Sequence, residues 1–248
     1  FDYRYDHLMK QWEEAPPMVN RRSLFASASG PGNFAYVAGG LGRPHRRHTS
    51  LREESSVNAL QTAEVYDARM NRWSLIPPMP APRFKCSGII MNGKFYVIGG
   101  KDANNKPLSS AEEYDILTSK WRTIEDMYLI KSRADIFDCM PPLVAVLRNR
   151  LYAVEVNTST LKVYENHLNT WKDVSKLPIL ADIGNGCGVM FKALGDHGLL
   201  IMGDLGDLLF GCCWSPGESS EWRVLCHINV QPTFHGCRFL CNCPVMSC

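Results

Sequence analysis

One spacing recurs along the whole chain and constrains its fold more than any other feature of the sequence. In four places a tyrosine followed by an acidic residue comes seven positions before a tryptophan: Tyr5 and Trp12, Tyr66 and Trp73, Tyr114 and Trp121, Tyr164 and Trp171. Trp222 continues the series, and consecutive tryptophans from Trp12 to Trp222 are 61, 48, 50 and 51 residues apart. Such a period indicates repeated supersecondary units, which bury their apolar faces by stacking on their neighbours.

The clearest unit covers residues 83–127 and is predicted to form four short strands. We place these strands at 85–91, 94–98, 111–115 and 121–124, with the Asn92-Gly93 turn between the first two. A two-residue hairpin turn needs positive φ at both positions, which Gly adopts freely and Asn tolerates. The Gly99-Gly100 pair lets the chain leave the second strand sharply before a polar loop. The unit is therefore predicted to be a small antiparallel sheet.

The glycine pairs and the proline-methionine pairs of the repeat carry a family resemblance. Glycine pairs at 39–40 and 99–100 end two second strands, and Pro-Met pairs at 17–18 and 78–79 follow two of the tryptophans. Together with the Tyr/Trp pairs, these residues resemble kelch repeats, which form the blades of a β-propeller. The later units depart from the pattern, with LYAVE at 151–155 and LIMGD at 200–204. The resemblance implies an all-β fold, a kelch-type β-propeller.

Longer stretches of the chain are similar to plant F-box/kelch-repeat proteins. They are RRSLFASAS at 21–29, FKCSGIIMNGKFYVIGG at 84–100, SRAD and PPLVAV within 132–146, and CNCPVMSC at 241–248. The resemblance implies a propeller of about six blades preceded by an F-box domain, with about four and a half blades in this chain. It also implies the substrate-recognition part of an SCF-type (cullin-RING) E3 ubiquitin ligase, which binds a target protein and is not itself catalytic. The F-box would bind the Skp adaptor and, through it, the cullin.

We interpret the 248 residues as one kelch-repeat propeller domain that is truncated at its N-terminus. The chain begins with Phe1, in the middle of a predicted unit, so we expect further blades and the F-box upstream. The predicted segments are a half-blade at 1–18, blades at 19–79, 80–127, 128–177 and 178–230, and a closing strand at 234–248. We expect residues 239–246 to be the innermost strand of the first blade, because ring closure by a terminal strand removes open sheet edges.

Composition and charge argue against several classes of function. A formal net charge of +2 provides no large basic field, so no nucleic-acid partner is expected. No apolar run approaches the roughly 20 residues of a membrane-spanning helix, and no secretory signal is visible. We therefore expect no membrane partner and a location in the cytoplasm, the nucleus or both.

Histidines and cysteines are the residues that would carry metal chemistry. The seven histidines are scattered over loops and turns of different units, so a copper oxidase site is not expected. Seven of the ten cysteines lie near the C-terminus, where Cys237, Cys241 and Cys243 share one face of the predicted last strand. A zinc site completed by His227 or His235 is one reading of this cluster, and packing of reduced cysteines in the core is the favoured one. We predict no cofactor and no bound metal.

Three basic residues recur ten positions after successive tryptophans, namely Arg22, Arg83 and Lys131. They precede the innermost strands of successive units, and the repeat symmetry predicts that they surround one end of the central channel. In kelch substrate receptors of similar pattern, such arginines bind acidic groups of peptide ligands, so the resemblance makes all three candidate partner-binding residues. Capping of their own blade through neighbouring carbonyl groups is an equal alternative.

Two further features are weaker partner-binding candidates. Lys101 and Asp102 follow the glycine pair at 99–100 into a polar loop, for which an ordinary solvated loop is the alternative. The basic run RPHRRH at 43–48 lies in the longest of the inter-strand loops and is either a partner contact or a solvated insertion. Two other functions stay open: a kelch scaffold without ligase partners, and an oxidase or isomerase.

Overall fold

The structure is a computed structural model of the chain, and it is almost entirely β-sheet. It describes residues 2–6, 9–42, 57–128, 141–178, 189–204, 208–217 and 221–229. Within these residues every regular element is a strand, apart from 3-10 helices at Pro31–Asn33 and Val156–Thr158. Two compact units divide the chain, Phe1–Glu125 and Asp126–Cys248, and each is built from antiparallel sheets. The predicted all-β fold is confirmed.

The first unit contains one two-stranded sheet and two four-stranded sheets. The two-stranded sheet, called the half-blade, pairs β1 (Asp2–Asp6) with β2 (Gln11–Ala15). Blade I consists of β3 (Ala26–Ser29), β4 (Phe34–Ala38), β5 (Ala63–Asp67) and β6 (Arg72–Ile76). Blade II consists of β7 (Ser87–Met91), β8 (Lys94–Ile98), β9 (Ala111–Asp115) and β10 (Lys120–Ile124). In both blades the strands pair in chain order, as in the blades of a propeller.

The turn between β7 and β8 has the predicted geometry. Met91 pairs with Lys94, and the two residues between them, Asn92 and Gly93, have φ values of 52° and 69°. Both values are positive, which a two-residue turn needs in order to match the right-handed twist of its strands. The ends of the four strands of blade II lie within two residues of their predicted positions.

Blade I and blade II share one apolar core. The ring centroid of Tyr36 in blade I lies 5.7 Å from that of Phe95 and 6.4 Å from that of Tyr114, both in blade II. The innermost strands β3 and β7 also approach closely, because a Cβ atom built on Gly88 would lie 2.6 Å from the backbone nitrogen of Ser27. Only glycine fits at position 88, and its missing side chain permits this short distance between β3 and β7.

The second unit contains two four-stranded sheets of the same topology. Blade III consists of β11 (Val144–Leu147), β12 (Arg150–Glu155), β13 (Thr160–Glu165) and β14 (Thr170–Lys176). Blade IV consists of β15 (Val189–Leu194), β16 (Gly198–Asp204), β17 (Leu208–Trp214) and β18 (Arg223–Asn229). The stretches at 151–155 and 200–204 form second strands although they lack the glycine pair. Their apolar residues enter a core around Leu161, Phe191 and Phe210.

The described part of the chain therefore has four four-stranded sheets and one two-stranded sheet, as predicted. The closing strand expected at 234–248 lies outside the described residues. None of the helices found in the described ranges is long and apolar enough to cross a lipid bilayer.

Candidate functional site

The candidates Arg22 and Arg83 lie in equivalent places, each shortly before the innermost strand of its blade. Their side chains are buried, with 0% of the Arg22 side chain and 1% of the Arg83 side chain exposed. A buried guanidinium group is stable only if hydrogen bonds and an opposite charge replace the water that it has lost. The contacts of these two side chains therefore decide what they do.

The Arg83 side chain bonds to the second and third strands of its own blade. Its Nη1 donates to the carbonyl oxygens of Gly99 at 3.1 Å and Ser110 at 2.9 Å. Its Nη2 donates to the Ser110 hydroxyl at 3.3 Å and to Glu112 Oε1 at 2.6 Å. Both partners of the Arg83–Glu112 ion pair are buried. The guanidinium thus joins the end of β8 to the beginning of β9.

Arg22 repeats this arrangement in blade I. Its Nη1 donates to the carbonyl oxygens of Gly39 at 2.8 Å and Thr62 at 2.9 Å, and its Nη2 donates to the Thr62 hydroxyl at 3.2 Å. Glu64 Oε1 accepts from the same Nη2 at 2.5 Å. The Glu64 carboxylate also accepts from the backbone nitrogens of Val19, at 2.7 Å, and Asn20, at 2.8 Å, so the pair fastens the incoming loop.

These contacts are the ones that the capping alternative describes. The terminal nitrogens of each guanidinium donate hydrogen bonds within their own blade. Each side chain is almost completely buried, so little of its surface is accessible to a partner. In both arginines the Nε atom is buried and has no acceptor among the described residues, which again places the side chain in the interior. Partner binding by Arg22 and Arg83 stays a prediction, and no contact in the described residues supports it.

The backbone of Arg83 has a second role, because it bonds to the preceding blade. Its nitrogen donates to the carbonyl oxygen of Leu60 at 3.2 Å, and its carbonyl oxygen accepts from the nitrogen of Gly40 at 2.8 Å. Gly40 has a φ of 96°, a left-handed conformation that favours glycine, and a Cβ atom there would lie 2.6 Å from the carbonyl oxygen of Ser23. Arg83 therefore holds blade II with its side chain and blade I with its backbone.

The weaker candidates Lys101 and Asp102 lie where the chain leaves β8. Lys101 is 8% exposed, and its backbone forms a two-way bridge with Phe84, at 2.8 Å and 3.0 Å. Asp102 organises a turn, since its Oδ1 accepts from the backbone nitrogens of Asn104 at 2.9 Å and Lys106 at 2.8 Å. These bonds are those of an ordered polar loop, and a partner contact by either residue stays a prediction. Lys131 and the basic run at 43–48 lie outside the described residues.

A different charge arrangement occupies the same position in blade III. The residue that corresponds to Glu64 and Glu112 is Lys162, whose Nζ lies 2.6 Å from Asp173 Oδ1 and 3.4 Å from Glu155 Oε2. Burial lowers the pKa of Lys162, but the hydrogen bonds and charges of Asp173 and Glu155 together outweigh burial and raise that pKa. Blade III therefore has a lysine paired with acidic groups at the position where blades I and II have a glutamate paired with an arginine.

Blade II carries a second charged cluster on the other face of β9. Glu113 Oε1 accepts from Lys94 Nζ at 2.8 Å and from Arg122 Nε at 2.7 Å, and Glu113 Oε2 accepts from Arg122 Nη2 at 2.8 Å. Burial of the carboxyl raises its pKa, but the hydrogen bonds from Arg122 and Lys94 outweigh burial and lower the pKa of Glu113 to about 2. Glu113 is therefore ionised throughout the physiological pH range.

The tryptophans of the repeat form bonds that the spacing alone did not reveal. The indole Nε1 of Trp73 donates to the carbonyl oxygen of Pro16 at 3.1 Å, and that of Trp121 donates to Pro77 at 2.6 Å. In the second unit Trp171 donates to Met127 at 2.7 Å. We call each of these bonds an indole latch. In the first unit, each latch ties a fourth strand to the end of the preceding sheet.

Sequence reasoning also missed the acidic partners of the arginines. Glu64 and Glu112 both stand two residues before the tyrosine of the repeat, within an Ala-Glu-x-Tyr-Asp segment. The shared segment identifies these partners only once the structure shows that the arginines are buried, because two buried arginines at equivalent positions call for two carboxylates at equivalent positions.

Metal ligands do not converge within the described ranges. No group of three or more His, Cys, Asp or Glu side chains there could hold a metal ion. Cys86 is buried, and burial raises the pKa of its thiol to about 11, so it packs as an apolar side chain. The candidate zinc ligands Cys237, Cys241 and Cys243 lie outside the described residues, and the side chain of His227 is not described either.

Comparison with known proteins gives matches at three levels. The family model described as "Kelch motif" matches residues 82–128, which cover blade II. The F-box/kelch-repeat protein At1g26930 of Arabidopsis thaliana is 34% identical over 258 residues, covering 99% of this chain and 57% of the relative. The F-box/kelch-repeat protein SKIP11 of the same plant is 36% identical over 257 residues, covering 99% of this chain and 51% of the relative. The chain thus spans about half the length of the curated relatives that it matches.

A solved structure supports the fold. The protein of "Structure of YjhT" is similar with a TM-score of 0.54 and 16% sequence identity, covering 78% of this chain and 63% of the other. At that identity the similarity concerns the fold alone. The sheet topology and the kelch motif agree with it, and the fold class is a kelch-type β-propeller.

Proposed function

The chain is a plant kelch-repeat protein, and from that premise we propose that its propeller is the substrate-recognition part of an SCF-type (cullin-RING) E3 ubiquitin ligase. The observation that carries the proposal is the 34% identity to an F-box/kelch-repeat protein over 99% of this chain. Propellers host many functions, so the fold by itself does not select this one.

The proposed mechanism is proximity, and the propeller itself makes and breaks no covalent bond. An F-box in the complete polypeptide binds the Skp adaptor and thereby the cullin, while the propeller binds a target protein. Holding the target beside a ubiquitin-loaded enzyme raises its effective concentration there, which promotes transfer without a catalytic residue in the propeller. The proposed location is the cytoplasm, the nucleus or both, where such complexes act.

The buried arginine pairs support target binding indirectly. The Arg22–Glu64 pair fastens the loop between β2 and β3, which presents exposed side chains of Val19, Arg21 and Leu24 to solvent. Binding residues on propellers and other rigid scaffolds lie mostly on such loops. A loop that is already ordered loses little conformational entropy when a partner binds.

Affinity purification of the full-length polypeptide tests the proposal. We expect the Skp adaptor and a cullin among the purified proteins, and at least one further protein whose abundance rises when the proteasome is blocked. A variant without the F-box should lose the adaptor and the cullin and keep the target, because the propeller is intact.

Three results would contradict the proposal. A polypeptide that binds target proteins but neither adaptor nor cullin is a kelch scaffold. Stoichiometric copper in the purified protein indicates an oxidase. Turnover of a small molecule that survives removal of the F-box indicates an enzyme.

A further inference from the structure

Leu24 has a backbone conformation that leucine seldom adopts. Its φ is 53°, in the left-handed region that favours glycine. Lys85, which follows the buried arginine of blade II by two positions as Leu24 follows that of blade I, has a φ of 52°. The carbonyl oxygen of Leu24 accepts from the backbone nitrogen of Lys85 at 2.8 Å, so the two residues lie side by side on neighbouring blades.

The leucine side chain is not needed for this conformation. The hydrogen bond to Lys85 uses backbone atoms, and blade II adopts the same φ with a different residue. Glycine would adopt this φ without the steric cost that a Cβ atom adds. Leu24 is nevertheless present, and it is 48% exposed. A large apolar side chain at a position that favours glycine indicates a role outside the fold.

Leu24 ends the segment 19–24 (VNRRSL), which we call the entry segment. The carboxylate of Glu64 holds its beginning by accepting from two of its backbone nitrogens, at 2.7 Å and 2.8 Å. The buried side chain of Arg22 holds its middle against blade I. The exposed side chains of the entry segment are those of Val19, Arg21, Ser23 and Leu24. The segment is therefore an ordered backbone that presents two large apolar side chains and one guanidinium group to solvent.

The equivalent segment of blade II, PAPRFK at 80–85, does not repeat these exposed side chains. Two prolines stand in place of Val19 and Arg21, and a lysine stands in place of Leu24. The buried arginine and its glutamate partner are present in both blades. The residues that hold the segment thus repeat, whereas the residues that face solvent differ. Such a division is expected where a loop on a rigid scaffold binds a partner.

We infer that the entry segment binds an extended segment of the target protein in which an apolar side chain lies close to a carboxylate. Val19 and Leu24 contact the apolar side chain, and Arg21 pairs with the carboxylate, whose two oxygens match the fork of a guanidinium group. Because the entry segment is already ordered, its binding costs little conformational entropy. The inference rests on the proposed function only in that the propeller binds a target protein.

A phage-displayed library of random linear peptides, selected on the full-length polypeptide, tests the inference. We expect the selected peptides to share an apolar residue close to Asp or Glu. Fluorescence anisotropy of one synthesised peptide then gives Kd for the natural protein and for each variant. Leu24→Gly and Leu24→Lys should each raise Kd by at least about fivefold, because apolar contact is lost. Arg21→Gln should raise Kd by about tenfold or more.

Two comparisons separate binding from folding. Leu24→Lys introduces the residue that blade II has at this place with the same φ, so the fold accommodates it. Ser119→Gly is the matched control for Leu24→Gly, because Ser119 has a φ of 56° and lies in the hairpin between β9 and β10. Both glycine variants should leave Tm within about 2 °C of the natural value, since relief of the left-handed conformation offsets the flexibility of glycine in the unfolded chain. Ser119→Gly should leave Kd unchanged.

Four outcomes would overturn the inference. Selection that yields no peptide, or peptides without an acidic residue, shows that the polypeptide does not recognise this chemistry. An unchanged Kd for both Leu24 variants shows that the leucine does not contact the peptide. A clear fall in Tm for Leu24→Gly beside an unchanged Tm for Ser119→Gly shows that the leucine serves packing. A dimer that Leu24→Gly dissociates shows that a second copy covers the entry segment.

Failure of the ligase role gives a different result. A polypeptide that binds neither adaptor nor cullin, yet binds the selected peptides through Leu24 and Arg21, contradicts the ligase role and supports the inference.

Discussion

Blade II and blade III have the same strand order, yet the corresponding position on their third strands carries an acid in blade II and a base in blade III. In blade II, Glu112 on the third strand accepts from Arg83, which precedes the first strand. In blade III the same place on the third strand holds Lys162, which donates to Asp173 on the fourth strand. A reversal of charge at one position has thus left the meander of four strands unchanged.

The aromatic framework is what the two blades share. The ring centroids of Tyr114 and Trp121 are 4.9 Å apart in blade II, and those of Tyr164 and Trp171 are 5.2 Å apart in blade III. This framework and the strand pairing therefore specify the blade, because they persist when the charge at the third-strand position is reversed. The polar interior is then free to vary, provided that each buried charge keeps a partner.

The two arrangements differ in their exposure to water, and therefore in their expected contribution to stability. Both side chains of the Arg83–Glu112 pair are 1% exposed, whereas Asp173 is 66% exposed and Lys162 is 17% exposed. Water screens the pair of blade III, so its net stabilisation should be small. Water does not reach the pair of blade II, so loss of one partner leaves an uncompensated buried charge.

The largest expected effect is the replacement of one member of the buried pair. Arg83→Ala should lower the free energy of unfolding by about 3–5 kcal/mol, because Glu112 then stays buried without its cation. Lys162→Ala, the matched change in blade III, should cost less than about 1 kcal/mol. Urea unfolding followed by tryptophan fluorescence measures both values.

Controls separate this capping role from partner binding by Arg83. The double variant Arg83→Met with Glu112→Leu removes both charges and should recover most of the loss, since no buried charge is left alone. If Arg83→Glu weakens target capture while Tm is unchanged, the guanidinium acts on a partner and the capping role is wrong. If Lys162→Ala costs as much as Arg83→Ala, exposure does not explain the difference between the blades.

The next largest effect is the pH dependence of stability that Glu113 gives to blade II. In blade III the corresponding residue is Val163, which has no carboxyl group. The pKa of Glu113 is lowered from its usual 4.5 to about 2, so the ionised form stabilises the folded state fully above pH 4.5. That stabilisation, about 2–3 kcal/mol, is lost as the pH falls from 4.5 towards 2. Unfolding free energies measured across this range should fall more steeply for the natural protein than for Glu113→Val.

The indole latches should contribute equally in the two blades. Trp121→Phe and Trp171→Phe each remove one N–H donor from a carbonyl oxygen, and each should cost about 1 kcal/mol. Trp222 in blade IV is the control, because its buried Nε1 has no acceptor in the part of the chain that the structure describes, and Trp222→Phe should cost less. Thermal unfolding measures the change in stability of all three variants. A clear difference between Trp121→Phe and Trp171→Phe would show that the tryptophan hydrogen bond does not contribute equally in blade II and blade III.

The turns and hairpins, which join residues that are close in sequence, were predictable from the sequence. The Asn92-Gly93 turn fixes the register of β7 and β8, and the Tyr-to-Trp spacing fixes the hairpins of third and fourth strands. The Arg83–Glu112 pair was not predicted, because 29 residues separate its members and only the completed sheet brings them together. Local periodicity predicts that a residue lies on a strand, but it does not predict which residue, distant in sequence, forms a buried ion pair with it.

The direction of the Arg22 and Arg83 side chains could not be predicted from the sequence either. The sequence placed Arg22 and Arg83 correctly before their innermost strands, since both follow a tryptophan by ten positions. The sequence was compatible with two directions of the guanidinium groups, towards a central channel or into their own blade. The carbonyl groups of Gly39 and Gly99 favour the second direction, because each lies at a turn where a backbone acceptor points inward. The sequence contains no signal for the orientation of a carbonyl group.

The smallest expected effect is at the hairpin between the third and fourth strands. In blade II, Asp115 Oδ1 accepts from the backbone nitrogens of Leu117 and Thr118, both at 3.0 Å, whereas blade III has Glu165 at this place. A glutamate is one carbon longer, and it is less suited than aspartate to bond the backbone two residues on. Glu165→Asp should therefore raise Tm by roughly 1–3 °C, as the turn gains the bonds that blade II already has. The exposed contact of Glu165 with Arg150, at 3.5 Å, is lost in the exchange and should offset little of the gain. Arg150→Gln, measured alone by differential scanning calorimetry, gives the size of that offset, and a lower Tm for Glu165→Asp than for Arg150→Gln would show that the two hairpins need different acids.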